Sequence, residues 1–189
     1  RGFLALYTAV SFAALIWIVI AFRAAGPDGV PLWTGAGELR GALASGLTLL
    51  ALGLVIAAGK GNPAGVGMGT EALREARETG AFAVTRHPMM WGIAIWAVAH
   101  ILVMPVPRTL ITAGSMAFLA LVGAHLQDRK KRALLGDAWQ DWESRTSFWP
   151  RFQHILAIKG RLWLLALILW LALTRLHNWL GTAPVGSWH

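Results

Sequence analysis

The 189-residue sequence has no cysteine, and only 14% of its residues are charged, against about 25% in an ordinary soluble domain. The first absence excludes disulfides, iron–sulfur clusters, thiolate metal ligands and a cysteine nucleophile. The second, set beside 56% hydrophobic residues and a mean hydropathy of +0.55, excludes a disordered chain and points to a protein built for a bilayer. There is no initiator Met, since the chain opens at Arg1, so further sequence is expected upstream. There is no cleavable signal sequence either, because the first apolar run is too long and no small-residue cleavage site follows it. No internal repeat is found.

What the sequence has is long apolar runs, eleven tryptophans and a formal charge of +8. Crossing roughly 30 Å of hydrocarbon takes about 20 residues at 1.5 Å each. Five segments meet or approach that length, near residues 2–22, 41–58, 88–104, 110–126 and 162–180. This predicts an all-α, polytopic helical membrane bundle forming one domain over residues 1–189. Pro88 suits a first helical position, while Pro105 and Pro107 make the third and fourth spans antiparallel neighbours. Two longer polar stretches lie between spans. Residues 59–86 hold a Gly-rich run with Gly65, Gly67 and Gly69, then a short helical run from Glu71 to Glu78 ended by Gly80. Residues 127–160 open on Asp128-Arg129-Lys130-Lys131-Arg132 and carry Trp139, Trp142 and Trp149, which suits an amphipathic segment on the membrane surface. The acids of that segment, Asp137, Asp141 and Glu143, are most simply surface partners of the basic run.

With both stretches on the cytoplasmic side, thirteen of the 17 Lys and Arg lie inside, and only Arg23, Arg40, Arg108 and Arg175 lie outside. Such a bias is the signature of orientation, so the charge marks topology rather than a nucleic-acid partner. The expected setting is a bacterial inner membrane, with the lipid bilayer as surroundings and the C-terminus outside.

Depth then sorts the six histidines. His87 and His125 share the inner boundary, whereas His100, thirteen residues past His87, lies about 20 Å deeper and shares the outer leaflet with His177. His154 and His189 fall in solvated loop or tail. An imidazole within hydrocarbon needs a partner and is a functional signal by default. Gly92, Trp96 and His100 repeat every four residues on one helical face, where small residues would let a flat macrocycle approach and be ligated through its iron. The same face also serves plain helix packing. Thr85-Arg86-His87-Pro88 has two readings: a capped helix start, or a cationic pair gripping an anion such as a haem propionate or a cofactor carboxylate.

Gly61-Asn62-Pro63, Thr85-Arg86-His87-Pro88-Met89-Met90-Trp91-Gly92, Trp96-Ala97-Val98-Ala99-His100 and the run from Asp128 through Gly136-Asp137-Ala138-Trp139 to Thr146-Ser147 together resemble the NnrU family of bacterial integral membrane proteins. The resemblance spans essentially the whole chain. It implies a link to denitrification and nitric oxide metabolism, and a kinship with the plastid 15-cis-zeta-carotene isomerases, which are membrane haem b enzymes. His100 matches the haem-ligating position of that group, and His87 the shared Arg-His-Pro motif. The resemblance therefore implies haem b as cofactor, with His100 as axial ligand, His177 as the second candidate by depth, and Arg86, His87, Gly92 and Trp96 around it. The family's further N-terminal helix, with its own histidine, is not in this sequence. Arg-His-Pro with the later Gly136, Trp139 and Trp142 also looks like the isoprenylcysteine and phospholipid methyltransferases, in which Arg86 and His87 would hold S-adenosylmethionine; Gln127-Asp128 stands where those enzymes have a Glu pair. A third reading is an accessory subunit of a larger membrane complex, without catalysis.

Overall fold

The computed structural model describes residues 2–26, 29–33, 37–59, 62–63 and 69–180. Among them there is no strand. The elements are α1 (Gly2–Ala24), α2 (Gly37–Ala57), α3 (Thr70–Glu75), α4 (Ala81–Val84), α5 (Pro88–Val103), α6 (Pro107–Leu135), α7 (Asp137–Arg145), a 3₁₀ turn (Phe152–Ala157) and α8 (Gly160–Trp179). Helices α1, α2, α6 and α8 are long and apolar enough to cross a bilayer, and α5 is a shorter apolar helix. The protein is an all-helical integral membrane protein. Its 16-residue α5 is about 24 Å long, under the span of the hydrocarbon core, and it sits where shortness costs least, packed between α2 and α6.

Small residues bring these helices together. A Cβ on Gly92 of α5 would lie 2.6 Å from Val55 Cγ2 and 2.9 Å from the Ala51 carbonyl oxygen, and one on Gly53 would strike the Trp163 ring of α8. Helix α2 therefore holds α5 on one side and α8 on another through close backbone approach, which is how membrane helices associate when lipid tails remove the hydrophobic drive. Beyond α5, Leu32 N–H donates to the Pro105 carbonyl (3.0 Å) and Trp33 Nε1 to the Leu102 carbonyl (3.0 Å). Acceptors at and just past the helix end, which the helix cannot satisfy itself, are filled by the segment leading into α2. Helix α1 is exposed along its length and joins the bundle through Arg108, whose Nη1 donates to the Phe22 carbonyl (3.4 Å) while its guanidinium lies 4.6 Å from the Phe22 ring centroid.

The stretch 127–160 departs from the expected surface segment. Helix α6 does not stop near residue 126 but runs on to Leu135, because Lys, Arg, Ala and Leu are good helix formers and the backbone ladder needs no apolar environment. Gly136, at φ 52° and ψ −128°, turns the chain into α7. Trp139 and Trp142 are 0% exposed and pack with Leu73, Phe82 and Ala138, so α3, α4 and α7 form a capped core at the basic end of the bundle. Only Trp149 of the three is exposed. The short helical run expected over 71–78 is α3 alone, ending at Glu75. Gly65, Gly67 and His189 lie outside the described residues, and His154 is exposed on the 3₁₀ turn.

Candidate functional site

The residues singled out in the sequence fall into two groups at opposite ends of α5. At its start, Pro88 occupies the first turn and His87 the N-cap position, without capping through its side chain. That side chain instead turns inward and is buried, its Nε2–H donating to Asp128 Oδ1 (2.7 Å). Arg86 donates from Nε (2.9 Å) and Nη2 (2.7 Å) to Asp128 Oδ2, and its Nη2 lies 3.5 Å from Glu143 Oε1. Arg132 closes the chain by gripping both Glu143 oxygens at 3.0 and 2.7 Å. Asp128, buried on α6, is thus the centre of a charged network linking α5, α6 and α7.

The backbone of Ser147 and Phe148 is stitched to the same motif. The Ser147 carbonyl accepts from Arg86 N–H (2.8 Å), and the Phe148 carbonyl from Thr85 Oγ1 (2.7 Å) and Trp91 Nε1 (2.8 Å). Phe148 stands edge-on to His87 at 5.6 Å and lies under the Arg86 guanidinium at 5.6 Å. The Arg-His pair is therefore not an open site for an anion, whether a propionate or the carboxylate of S-adenosylmethionine. Both are committed to Asp128.

Asp128 was not singled out from the sequence, which reads it as the first letter of a solvated basic run. A signal was present, however. Thr109, Ala113, Ala120, Ala124 and Asp128 are buried residues of α6 at intervals of four and seven, one continuous face toward the bundle. An acid falling on the small-residue face of an apolar helix is out of place in lipid and requires cations on a neighbour.

At the other end, His100 Nδ1–H donates to the Trp96 carbonyl (2.9 Å) and His177 Nδ1–H to the Leu173 carbonyl (2.8 Å). A carbonyl can only accept, so both rings carry a proton on Nδ1, as metal-ligating histidines commonly do toward a carbonyl or carboxylate behind them. The Trp96 ring packs on His100, centroids 4.0 Å apart and planes at 39°. Gly92, by contrast, is spent on the contact with α2, and the apolar cleft it lines with Trp96 and Met116 has a volume of about 130 Å³, smaller than ligand sites generally. Among the described residues no three His, Asp or Glu gather to hold a bare metal ion. Two histidines held in this way would suit a group that brings most of its own ligating nitrogens, as haem does. The thirteen-residue step from His87 to His100 separates the two groups by about 20 Å along α5, so Arg86 and His87 cannot reach a group ligated by His100.

No solved structure matches this chain. The chloroplastic 15-cis-zeta-carotene isomerase of Zea mays is 36% identical over 75 residues, which is 39% of this chain and 20% of the relative. The model of the NnrU protein family matches residues 1–185, and with that coverage the chain belongs to the NnrU family.

Proposed function

We propose that this NnrU-family protein is a multi-pass haem b protein of the bacterial inner membrane, with its basic end in the cytoplasm and the haem held at the far end of α5 and α8 by His100 and His177. The observation that carries the reading is the matched pair of Nδ1–H bonds to carbonyls four residues back on each helix. They fix both rings and make Nε2 the ligating atom. A bound haem would supply an iron able to take up nitric oxide, or to act as a Lewis acid on a polyene double bond. The chain's own contribution is positional: α2 clamps α5 and α8 through Gly92 and Gly53, fixing the spacing of the two histidines, and Trp96 packs against one of them.

An absorption spectrum of the detergent-purified full chain, oxidised and then reduced with dithionite, tests this. The expected result is a Soret band that sharpens on reduction, is lost in His100→Ala and shifts or weakens in His177→Ala, while Arg86→Ala keeps it. A protein that stays colourless after reconstitution with haemin, or spectra indifferent to both histidine variants, would overturn the proposal.

A further inference from the structure

At the basic end, outside the histidine pair, a cavity of about 370 Å³ opens beside the Asp128 network, within the range of ligand sites. One wall is a single face of α6, with His125, Arg129 and Arg132 at intervals of four and three residues; Arg86 lies behind, and Phe148 and Trp149 form the other wall. The charges around it do not cancel. Three arginines meet two acids, and the acids are already engaged, Asp128 by Arg86 and Glu143 by Arg132. Arg129 and His125 have no hydrogen bond or ion pair among the described residues, so one permanent cation and one imidazole face the cavity without a protein partner.

The face that bears them continues toward the middle of the bundle as an apolar stripe. Ile111, Phe118 and Val122 are exposed on α6 and precede His125 and Arg129 at helical spacing. Trp149, 68% exposed, stands at the cavity where tryptophans commonly mark the headgroup level of a membrane. A site with one uncompensated arginine at the polar boundary and an acyl-length apolar track leading into it matches an amphiphile carrying a single negative charge. We infer that this cavity binds the phosphodiester of an anionic phospholipid, with Arg129 and His125 on the phosphate and the acyl chains along α6. Arginine suits that role because its fork can engage two phosphate oxygens, and basic pockets between membrane helices are established headgroup sites. The site is independent of the haem reading, being about 20 Å from His100 along α5.

Native mass spectrometry of the full chain released from detergent, titrated with phosphatidylglycerol or phosphatidylcholine, reads the site directly. The expected result is phosphatidylglycerol bound at least tenfold more tightly than phosphatidylcholine. That preference falls at least fivefold in Arg129→Gln, is kept in Arg129→Lys, and is unchanged in Arg40→Gln at the opposite end. Because Arg129 has no internal partner, the thermal midpoint of Arg129→Gln should match the parent, which separates loss of a ligand from loss of fold. Equal binding of the two lipids, or an Arg129→Gln variant that binds like the parent, overturns the inference. Displacement of phosphatidylglycerol by millimolar inorganic phosphate would overturn it as well, by assigning the cavity to a free anion.

Discussion

At the scale of single residues, Asp128 carries more of the structure than any other acid among the described residues. Three donor atoms from one dipeptide, Arg86 Nε and Nη2 and His87 Nε2, converge on its two oxygens within 2.9 Å. Asp128→Asn keeps the shape but removes the charge that compensates Arg86, leaving Glu143 at 3.5 Å as its nearest counter-ion. Breaking one partner of a buried pair costs about 3–5 kcal/mol. The variant should therefore show a marked fall in thermal midpoint, read by tryptophan fluorescence in detergent. Asp141→Asn is the internal comparison, since Asp141 is exposed and its partner Arg145 only half-buried, and such pairs contribute about 0–1 kcal/mol. If the two variants lose stability equally, burial is not what gives the Asp128 network its weight. The Arg-His-Pro motif was legible in the sequence as something special, but its partner was not. The contacts reach 41 and 42 positions along the chain, beyond any local periodicity, and Asp128 hides at the head of a basic run that composition alone reads as solvated.

Among the elements, the long helices were plain from hydropathy and the start of α5 from Pro88, whereas Pro107, read as part of a short link, opens α6 three residues before the expected span. The end of α6 was not plain, because hydropathy reports where lipid stops and not where backbone hydrogen bonding stops. What ends α6 is Gly136, whose φ of 52° with ψ of −128° is a conformation that side-chain-bearing residues avoid. It aims α7 so that Trp139 and Trp142 enter the core with Leu73 and Phe82. Gly136→Ala should cost about 1–3 kcal/mol through backbone strain alone, since no atom stands within 4 Å of the added Cβ. Gly114→Ala, within the same helix and equally open, should be neutral or stabilising by up to about 1 kcal/mol because alanine is the better helix former. Opposite signs for these two glycines in parallel thermal melts would confirm that α6 ends by conformation, whereas equal losses would point to crowding that the structure does not contain.

For the molecule as a whole, the two groups of candidate residues stand at opposite ends of one short helix, so orientation decides which face of the membrane each chemistry meets. The Asp128 network and the phospholipid cavity share the end that carries α3, α4 and α7, and with it most of the basic residues. His100 and His177 share the end where Leu32 and Trp33 fold over α5. Basic residues are retained in the cytoplasm during insertion, so the proposed orientation has the arginine-rich end inside. The absence of native cysteine makes the test direct, because every introduced thiol reports only its own position. Cells expressing Val30→Cys should react with a membrane-impermeant maleimide from outside, Val30 being 87% exposed beside the histidine end. Lys130→Cys and Glu71→Cys, exposed at the other end, should be labelled only after the membrane is opened. The reverse pattern would place the phospholipid cavity in the outer leaflet and the histidine pair toward the cytoplasm, and would overturn the proposed orientation. Labelling of all three positions from outside would mean that the chain does not cross the membrane between residues 30 and 71, and that α2 packs against α5 without spanning.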